Sequence, residues 1–521
     1  MTVQRAMTVK SSDATLLIPR QPPAGPWEAP VSPAPVVDED PPPPEPLEAR
    51  WLTVVAWAFP LVLMTTLGLL GVNTPGLWED ELATLGMITA PWSEFWGVLA
   101  NAEASIGPYY VLMRLWTEVF GTSDLSLRIP SVLAMAGSAG LLAALGTRIG
   151  GRRVGIAAGT LFAVIPMISR YAQEARPYAI TVFAAVLATY LVVRLLERPG
   201  FLWYLAYAVT VLVLGLSHLV ALLLLAAHAL IVWKARPGRR RVLAWLGTAT
   251  ASILPMLPVL YLGQRQTGNQ IAWIPPLTFD RVAVMPDSLF GSAVLGGAVI
   301  ALALVAMTMV GSSLVATAWA VIPTVGLALA SFITPLWLSR YLLFVLPAWV
   351  LLAALALRRA TILRGTMAVL TLGLLTVPAQ LDLRGSAGHQ QATREVGAVL
   401  TQHVQPGDVM VYGPYTNNDL TLSRDTVNRY VPAAIRPTDP RLRQAARTHG
   451  VFGALEYGDA DVPMFLGRPA RIWVVRKGTL TDPTQGMGSG KQVALRASYI
   501  VQRTWPLKGF TIALLVRKPD K

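Results

Sequence analysis

The chain has 521 residues, 54% of them hydrophobic and only 14% charged, with a mean hydropathy of +0.51. Soluble domains carry about 25% charged residues, so the composition excludes a soluble globular protein and predicts an α-helical polytopic membrane protein. The net charge of +14 does not argue for a nucleic-acid partner, because many basic residues sit in short loops between apolar runs, where they set orientation in the membrane; the absence of cysteine excludes disulfides and cysteine–metal sites.

Residues 1–50 are polar and proline-rich, with Pro41-Pro42-Pro43-Pro44 near their end. They cannot bury a core and read as a disordered cytoplasmic tail, not as a cleavable signal peptide. The first span is predicted over 51–72, since about 20 apolar residues cross a bilayer. It is followed by Leu77-Trp78-Glu79-Asp80-Glu81, and consecutive carboxylates at a bilayer edge are a functional hypothesis by default. The first loop, 79–108, contains Pro91-Trp92-Ser93-Glu94-Phe95-Trp96, whose aromatics suit an interfacial helix; a second is expected over 109–120. Further spans are expected over 129–145, 154–169, 179–196, 201–216, 219–233, 242–262, 289–310, 314–334, 341–357 and 366–381, about eleven in all, with a polar loop over 263–287. Residues 382–521 differ in texture. Strands are expected over 409–413, 471–476 and 511–516 and helical character over 393–404 and 440–448, which together predict a small C-terminal α/β domain.

Placing the N-terminus in the cytoplasm and alternating puts the arginine clusters of 148–153, 194–198, 234–241 and 358–364 inside, as the positive-inside rule requires. The acidic loop, Gln173-Glu174-Ala175-Arg176, His218, Arg340 and residues 382–521 then all fall on the extracytoplasmic side.

Asp80 is the candidate general base, since transfer to a hydroxyl with inversion needs a carboxylate to take the acceptor's proton. Glu79 and Glu81 flank it, but three successive residues cannot point one way; the alternative is an ordinary acidic loop. Glu103, beside Gly107-Pro108-Tyr109-Tyr110, could position a sugar or a metal, or be a solvated carboxylate, and the two tyrosines could be interfacial anchors. Glu174 and Arg176 stand at a junction of two spans, as functional groups or as a structural pair. Arg340 begins a span and could hold a phosphate by forked hydrogen bonds or simply snorkel. His218 lies at a helix bend, where a structural role is the alternative. No Walker loop, Gly-x-Ser-x-Gly elbow or His-Glu-x-x-His occurs, and the cytoplasmic loops are too short for a nucleotide-binding domain. A membrane enzyme with an outward site must use a donor delivered by the membrane, a condition that a polyprenyl-phosphate sugar meets.

The ordered set Trp78-Glu79-Asp80-Glu81, Pro108-Tyr109-Tyr110 with Arg114-Leu115-Trp116, Leu127-Arg128-Ile129-Pro130-Ser131, Tyr171-Ala172-Gln173-Glu174-Ala175-Arg176-Pro177-Tyr178, Ser217-His218 and Ser339-Arg340-Tyr341 resembles the GT-C superfamily of membrane glycosyltransferases. Within it the set is similar to the protein mannosyltransferase and aminoarabinose transferase (glycosyltransferase family 39-like) branch, over roughly residues 51–381. The resemblance implies a GT-C fold, a polyprenyl-phosphate-linked sugar of the mannose or arabinose class as donor, and an envelope glycan, lipid or protein acceptor. Asp80 matches the family's catalytic aspartate, Arg340 and Arg176 residues that hold the donor phosphate, and Glu174 a second carboxylate of the cavity. With Glu81, Glu103, Tyr109, Tyr110, Gln173, Tyr178 and His218 these make up the expected site. The chain departs from the family where His-Pro-Pro or Lys-Pro-Pro would precede the tyrosines and Ser105-Ile106-Gly107-Pro108 stands instead, which looks more like envelope-glycan enzymes. No cofactor is certain; carboxylates in a water-filled cavity could bind Mg²⁺ or Mn²⁺, though nothing fixes a coordination set. The rival readings are a lipid-linked sugar transporter or flippase and a non-catalytic envelope scaffold. Transporters usually place their sites at the midplane within repeats, and no repeat is found.

Overall fold

A computed structural model describes residues 47–519 apart from 272, 310, 312 and 415, so most of the predicted proline-rich tail lies outside the described residues. Among them, seven helices are long and apolar enough to cross a membrane: Trp51–Leu69, Asp124–Gly150, Tyr178–Glu197, Arg239–Gln266, Leu314–Ser331, Ser339–Leu357 and Ile362–Leu383. An eighth is a pair, Arg152–Val164 and Pro166–Ala172, bent by 67°. Pro166 causes the bend: it lacks the N–H that would continue the helix and pushes Ile165 into extended backbone. The remaining three expected spans are present as the shorter apolar helices Phe201–Ser217, Leu219–Ala235 and Ala293–Met307. At about 1.5 Å per residue, 15 residues reach about 22 Å, short of the roughly 30 Å hydrocarbon core. Every expected span thus has a helical counterpart, but length and composition qualify eight at most.

The spans pack through small residues, the membrane alternative to a hydrophobic driving force. We label the helices in chain order: α1 (Leu47–Leu69), α2 (Glu79–Thr89), α3 (Trp92–Asn101), α4 (Gly107–Phe120), α5 (Asp124–Gly150), α6 (Arg152–Val164), α7 (Pro166–Ala172), α8 (Tyr178–Glu197) and α9 (Phe201–Ser217). In α6, Gly155 and Gly159 lie four residues apart on the face toward α5. A Cβ at Gly155 would come within 2.4 Å of the Ala143 carbonyl, and one at Gly159 within 2.6 Å of the Pro60 ring of α1. Only glycine lets the three backbones approach this closely.

The loop after α1 is itself helical. The segment expected as an acidic loop from Glu79 is α2; the two expected interfacial helices are α3 and α4, longer at their ends than the sequence indicated. The expected 263–287 loop holds the end of a helix to Gln270 and the short helices Phe279–Ala283 and Met285–Phe290.

Among the described residues the C-terminal part contains six strands: β1 (Val409–Gly413), β2 (Leu442–Gln444), β3 (Leu455–Glu456), β4 (Arg471–Lys477), β5 (Tyr499–Leu507) and β6 (Phe510–Arg517). The main sheet has the order β1-β4-β6-β5, with β1 parallel to β4 and the other neighbours antiparallel. The three strands legible in the sequence are β1, β4 and β6, whose apolar runs are buried on both faces. β5 escaped notice because it is a mostly exposed edge strand. It joins β6 by a two-residue turn in which Gly509 takes φ +79°, a conformation glycine adopts without penalty. The expected helix over 440–448 is absent. Leu442–Gln444 pairs instead with β3, and Arg447 and His449 take positive φ, which ends any helix.

From Glu48 onward the described residues form one compact unit. Leu77, Leu82, Phe95 and Tyr110 of the first loop share a single apolar core with Val396, Met410, Trp473 and Phe510 of the C-terminal part. The sheet is therefore built against α2, α3 and α4 and does not hang free.

Candidate active site

Asp80 is positioned by helix geometry. α2 begins at Glu79, so Glu79, Asp80 and Glu81 occupy its first turn, where carboxylates favour the positive end of the helix dipole. Successive helical residues point about 100° apart, and the three carboxylates go to three different partners. Glu79 accepts from Lys477 Nζ at 2.8 Å, and its N–H donates to Gln391 at 2.8 Å, which ties α2 to the C-terminal part.

Glu81 corrects an expectation. It is fully buried, and its two oxygens accept from Arg128 Nε and Nη2 at 2.8 and 2.7 Å and from the Ala175 N–H at 3.0 Å. Burial alone would raise its pKa, but the Arg128 charge and hydrogen bonds, helped by His389, hold it well below the usual carboxylate range. Arg128 donates its three remaining hydrogens to the carbonyls of Val72, Pro75 and Gly76, so all five guanidinium hydrogens are satisfied. This pair gathers the turn after α1 and fixes the start of α2. It leaves Glu81 enclosed with Arg128 and no solvent-facing surface. Gln173 is corrected likewise: it is buried, and its amide donates to the Gly68 and Leu70 carbonyls at 3.0 and 2.9 Å.

Asp80 is left facing two cations. Its Oδ2 lies 3.5 Å from Arg340 Nη1 and 3.7 Å from Arg176 Nε, and its side chain is 22% exposed. Arg176 also donates to the Tyr110 hydroxyl at 3.1 Å, which in turn donates to Glu103 Oε2 at 2.8 Å. Burial raises the Tyr110 pKa, so the phenol keeps its proton. Glu103 adopts φ +61° in a loop held by Gln266, whose amide accepts from the Ala104 N–H and donates to the Leu99 carbonyl, both at 2.9 Å. Left-handed backbone at a non-glycine residue persists only where its surroundings hold it.

An aromatic wall adjoins the arginines. His218 meets Tyr341 edge to face at 4.7 Å and lies 5.8 Å from Tyr178, which packs on Tyr171 at 5.3 Å. Burial, with the charges of Arg340 and Arg176, lowers the His218 pKa to about 4, so the ring is neutral. The Arg340 guanidinium sits 5.2 Å from the Trp273 ring centroid. Glu174 is buried and bonded to Arg170 Nη1 at 2.5 Å. Burial pushes its pKa up to about 7 against the pull of Arg170.

Several buried polar atoms at this site make no hydrogen bond. Among the described residues they include Trp78 Nε1, Tyr109 Oη, Glu174 Oε1, Arg176 Nε, His218 Nδ1 and Arg340 Nε. Each such atom costs about 1–3 kcal/mol, and a cluster of them in a half-open site is what a polar ligand would satisfy. No group of three or more His, Cys, Asp or Glu side chains that could hold a metal occurs among the described residues.

The structure thus brings Asp80, Glu103, Tyr110, Arg176 and Arg340 together, with Tyr178, His218 and Glu174 alongside, and seals off Glu81 and Gln173. Sequence reasoning assigned nothing to Arg128, Trp273, Tyr341 or Lys477. Arg128 and Tyr341 stand inside noted motifs, at the starts of spans; Trp273 and Lys477 carry no local signal.

Residues 107–262 match the family model for dolichyl-phosphate-mannose-protein mannosyltransferases. No curated protein matches the sequence. Among solved structures, ArnT from Cupriavidus metallidurans in the apo state is similar with a TM-score of 0.54 and 15% identity, over 90% of this chain and 98% of that one. The same protein bound to undecaprenyl phosphate gives 0.55 and 14%, over 89% and 98%. Nearly the whole chain therefore follows one known architecture, with the family's sequence features over residues 107–262, less than a third of it. The chain is a multi-pass membrane protein with the GT-C fold of membrane glycosyltransferases, resembling the protein mannosyltransferase and aminoarabinose transferase branch.

Proposed function

We propose that the protein is an inverting glycosyltransferase that moves a sugar of the mannose or arabinose class from a polyprenyl phosphate to a hydroxyl of an envelope glycan, lipid or protein. The observation that carries this reading is Asp80 set between Arg176 and Arg340, with an Nε on each arginine that makes no hydrogen bond. The family description names a dolichyl-phosphate-linked mannose, and the structural relative was captured with undecaprenyl phosphate; both support a lipid-phosphate donor.

The chemistry follows from charge. The donor phosphate approaches Arg176 and Arg340 with its lipid still between the helices. Its negative charge competes with Asp80 for both guanidinium groups and releases the carboxylate toward the acceptor. Asp80 takes the acceptor hydroxyl proton, the oxygen attacks the anomeric carbon, and the carbon–oxygen bond to phosphate breaks on the opposite face. Charge that grows on the leaving phosphate is stabilised by arginines already in place, which is worth more than donors that must reorganise. Tyr110 and Glu103 hold Arg176 in register and orient sugar hydroxyls. The positive charge comes from arginine, so the reading needs no divalent ion. In it the N-terminus is cytoplasmic, the site and residues 382–521 are extracytoplasmic, and the C-terminal part, joined to α2 through Lys477 and Glu79, helps receive the acceptor.

The test uses purified protein in nanodiscs with radiolabelled polyprenyl-phosphate mannose and arabinose and a total envelope extract. Label entering glycan or lipid with the wild type but not with Asp80→Asn supports the reading. Movement of lipid-linked sugar across a vesicle bilayer without transfer would establish a flippase instead.

A further inference from the structure

α2 lacks a cap of its own. The residue before its first turn is Trp78, and an indole has no acceptor for the N–H groups that the start of a helix leaves open. The cap comes instead from residues more than 300 positions away. The Glu79 N–H donates to Gln391 Oε1 at 2.8 Å. Just upstream, Leu77 is held by both of its backbone groups. Its N–H donates to the Tyr430 hydroxyl at 2.7 Å, and its carbonyl accepts from Thr393 Oγ1 at 2.9 Å. Thr393 opens the helix Thr393–His403 and Tyr430 closes the helix Asn417–Tyr430. The approach is close enough to require Gly76, where a Cβ would collide with Thr393 Oγ1 and come within 3.0 Å of the Arg394 backbone nitrogen.

Tyr430 is itself anchored. Its hydroxyl donates to Asp124 Oδ2 at 3.3 Å, which leaves a lone pair for the Leu77 N–H. Asp124 is paired in turn with Arg394 at 2.5 Å and Arg429 at 2.6 Å. Asp124 opens α5, so the contact ties the C-terminal part to a membrane span as well as to α2. Arg128, also on α5, holds the carbonyls of Val72, Pro75 and Gly76 in the same turn. Asp80 lies three residues beyond Leu77 and one beyond Glu79. A helix turns about 100° per residue, so a one-residue slip at its start would swing the Asp80 carboxylate away from both arginines.

We propose that Gln391, Thr393 and Tyr430 are positioning residues that fix the first turn of α2 and, through it, the place of Asp80 between Arg176 and Arg340. The C-terminal part then acts on the reaction through the backbone of α2. This inference rests on the reading of Asp80 as the base.

The test combines hydrogen exchange with kinetics on the full-length protein in nanodiscs, using radiolabelled polyprenyl-phosphate mannose or arabinose and envelope extract. Tyr430→Phe/Thr393→Val removes both bonds to Leu77 with little change in volume. The peptide covering residues 75–82 should exchange about tenfold faster, the scale of one lost hydrogen bond. kcat should fall about 10–100-fold, as a misplacement of about 1 Å does, with KM for the lipid donor unchanged. Thr393→Ser, which keeps the hydroxyl, should match the wild type in both. Glu456→Gln breaks buried pairs with Arg424 and Lys491; it should lower the melting temperature and leave kcat of the folded protein unchanged. Unchanged exchange or unchanged kcat in the double variant, equal losses in Thr393→Ser, or an equal kcat loss in Glu456→Gln would each overturn the proposal. If the double variant fails to fold, Tyr430→Phe alone is read in the same way. Wild-type turnover in Asp80→Asn would instead retire the base assignment, and the exchange rates would still judge the contact at Leu77.

Discussion

The carboxylate of Asp80 and the guanidinium of Arg340 stand 3.5 Å apart although 260 positions separate them in the chain. Neither needs the other to fold α2 or the helix from Ser339, and the contact is looser than the 2.7 Å pair between Glu81 and Arg128. A loose pair that stays half-open is free to exchange partners. On this basis Asp80→Asn should lower transfer by about 10²–10⁴ while expression and melting temperature in detergent stay near wild type. Transfer at the wild-type rate would remove Asp80 from the chemistry.

Arg340→Lys keeps the charge but loses the planar fork. Turnover should fall by about 10²–10³, the cost of removing one preorganised donor from a developing oxyanion, with the loss in kcat and not only in KM for the lipid donor. A change confined to KM for the acceptor would place Arg340 at the acceptor side instead.

Glu81→Gln should act on stability. It leaves the Arg128 cation buried without its counter-charge, and breaking such a pair costs about 3–5 kcal/mol. The expected result is a marked drop in detergent melting temperature and in yield. Glu79→Gln, whose side chain is about a third exposed at 31%, should stay within about 1 kcal/mol of wild type. Equal melting temperatures for the two variants would refute the structural role given to Glu81.

Glu174 supplies a pH dependence. Its folded pKa is raised from 4.5 to about 7 by burial, so between these values the folded state binds more protons than the unfolded one. Its contribution to stability is present below about pH 4.5 and is lost as pH rises through 7. His218 and His389 run oppositely: burial lowers them from 6.5 to about 4 and about 3, so stability is lost as pH falls through those values. The difference in melting temperature between wild type and Glu174→Gln isolates the carboxyl. Relative to the variant, the wild type should lose stability from pH 5 to 8, and a flat difference would remove the assignment.

Chelation tests the source of positive charge. Because Asp80 is flanked by Arg176 and Arg340, transfer should persist after dialysis against EDTA. Loss on chelation with recovery on adding Mg²⁺ or Mn²⁺ would bring a metal ion into the site.

The sequence by itself determined the class of the protein and the location of its long apolar helices. Hydropathy is a local property, and a run of about 20 apolar residues has one stable place in a bilayer. The apolar strands β1, β4 and β6 are local signals of the same kind. The edge strand β5 and the short strand β2 were not legible, because their exposed or charged residues acquire strand geometry only from a partner.

Only the tertiary structure decided which partner each carboxylate meets. Glu79, Asp80 and Glu81 are equivalent in type and adjacent in sequence, and nothing local separates them. Arg128 on α5 claims Glu81, Lys477 on β4 claims Glu79, and Arg176 and Arg340 converge on Asp80. Each partner arrives from a distant part of the chain, and burial then fixes the consequence. An ion pair with all its hydrogen bonds made in a closed interior holds structure, whereas an acid between two cations at a half-open surface is available to react.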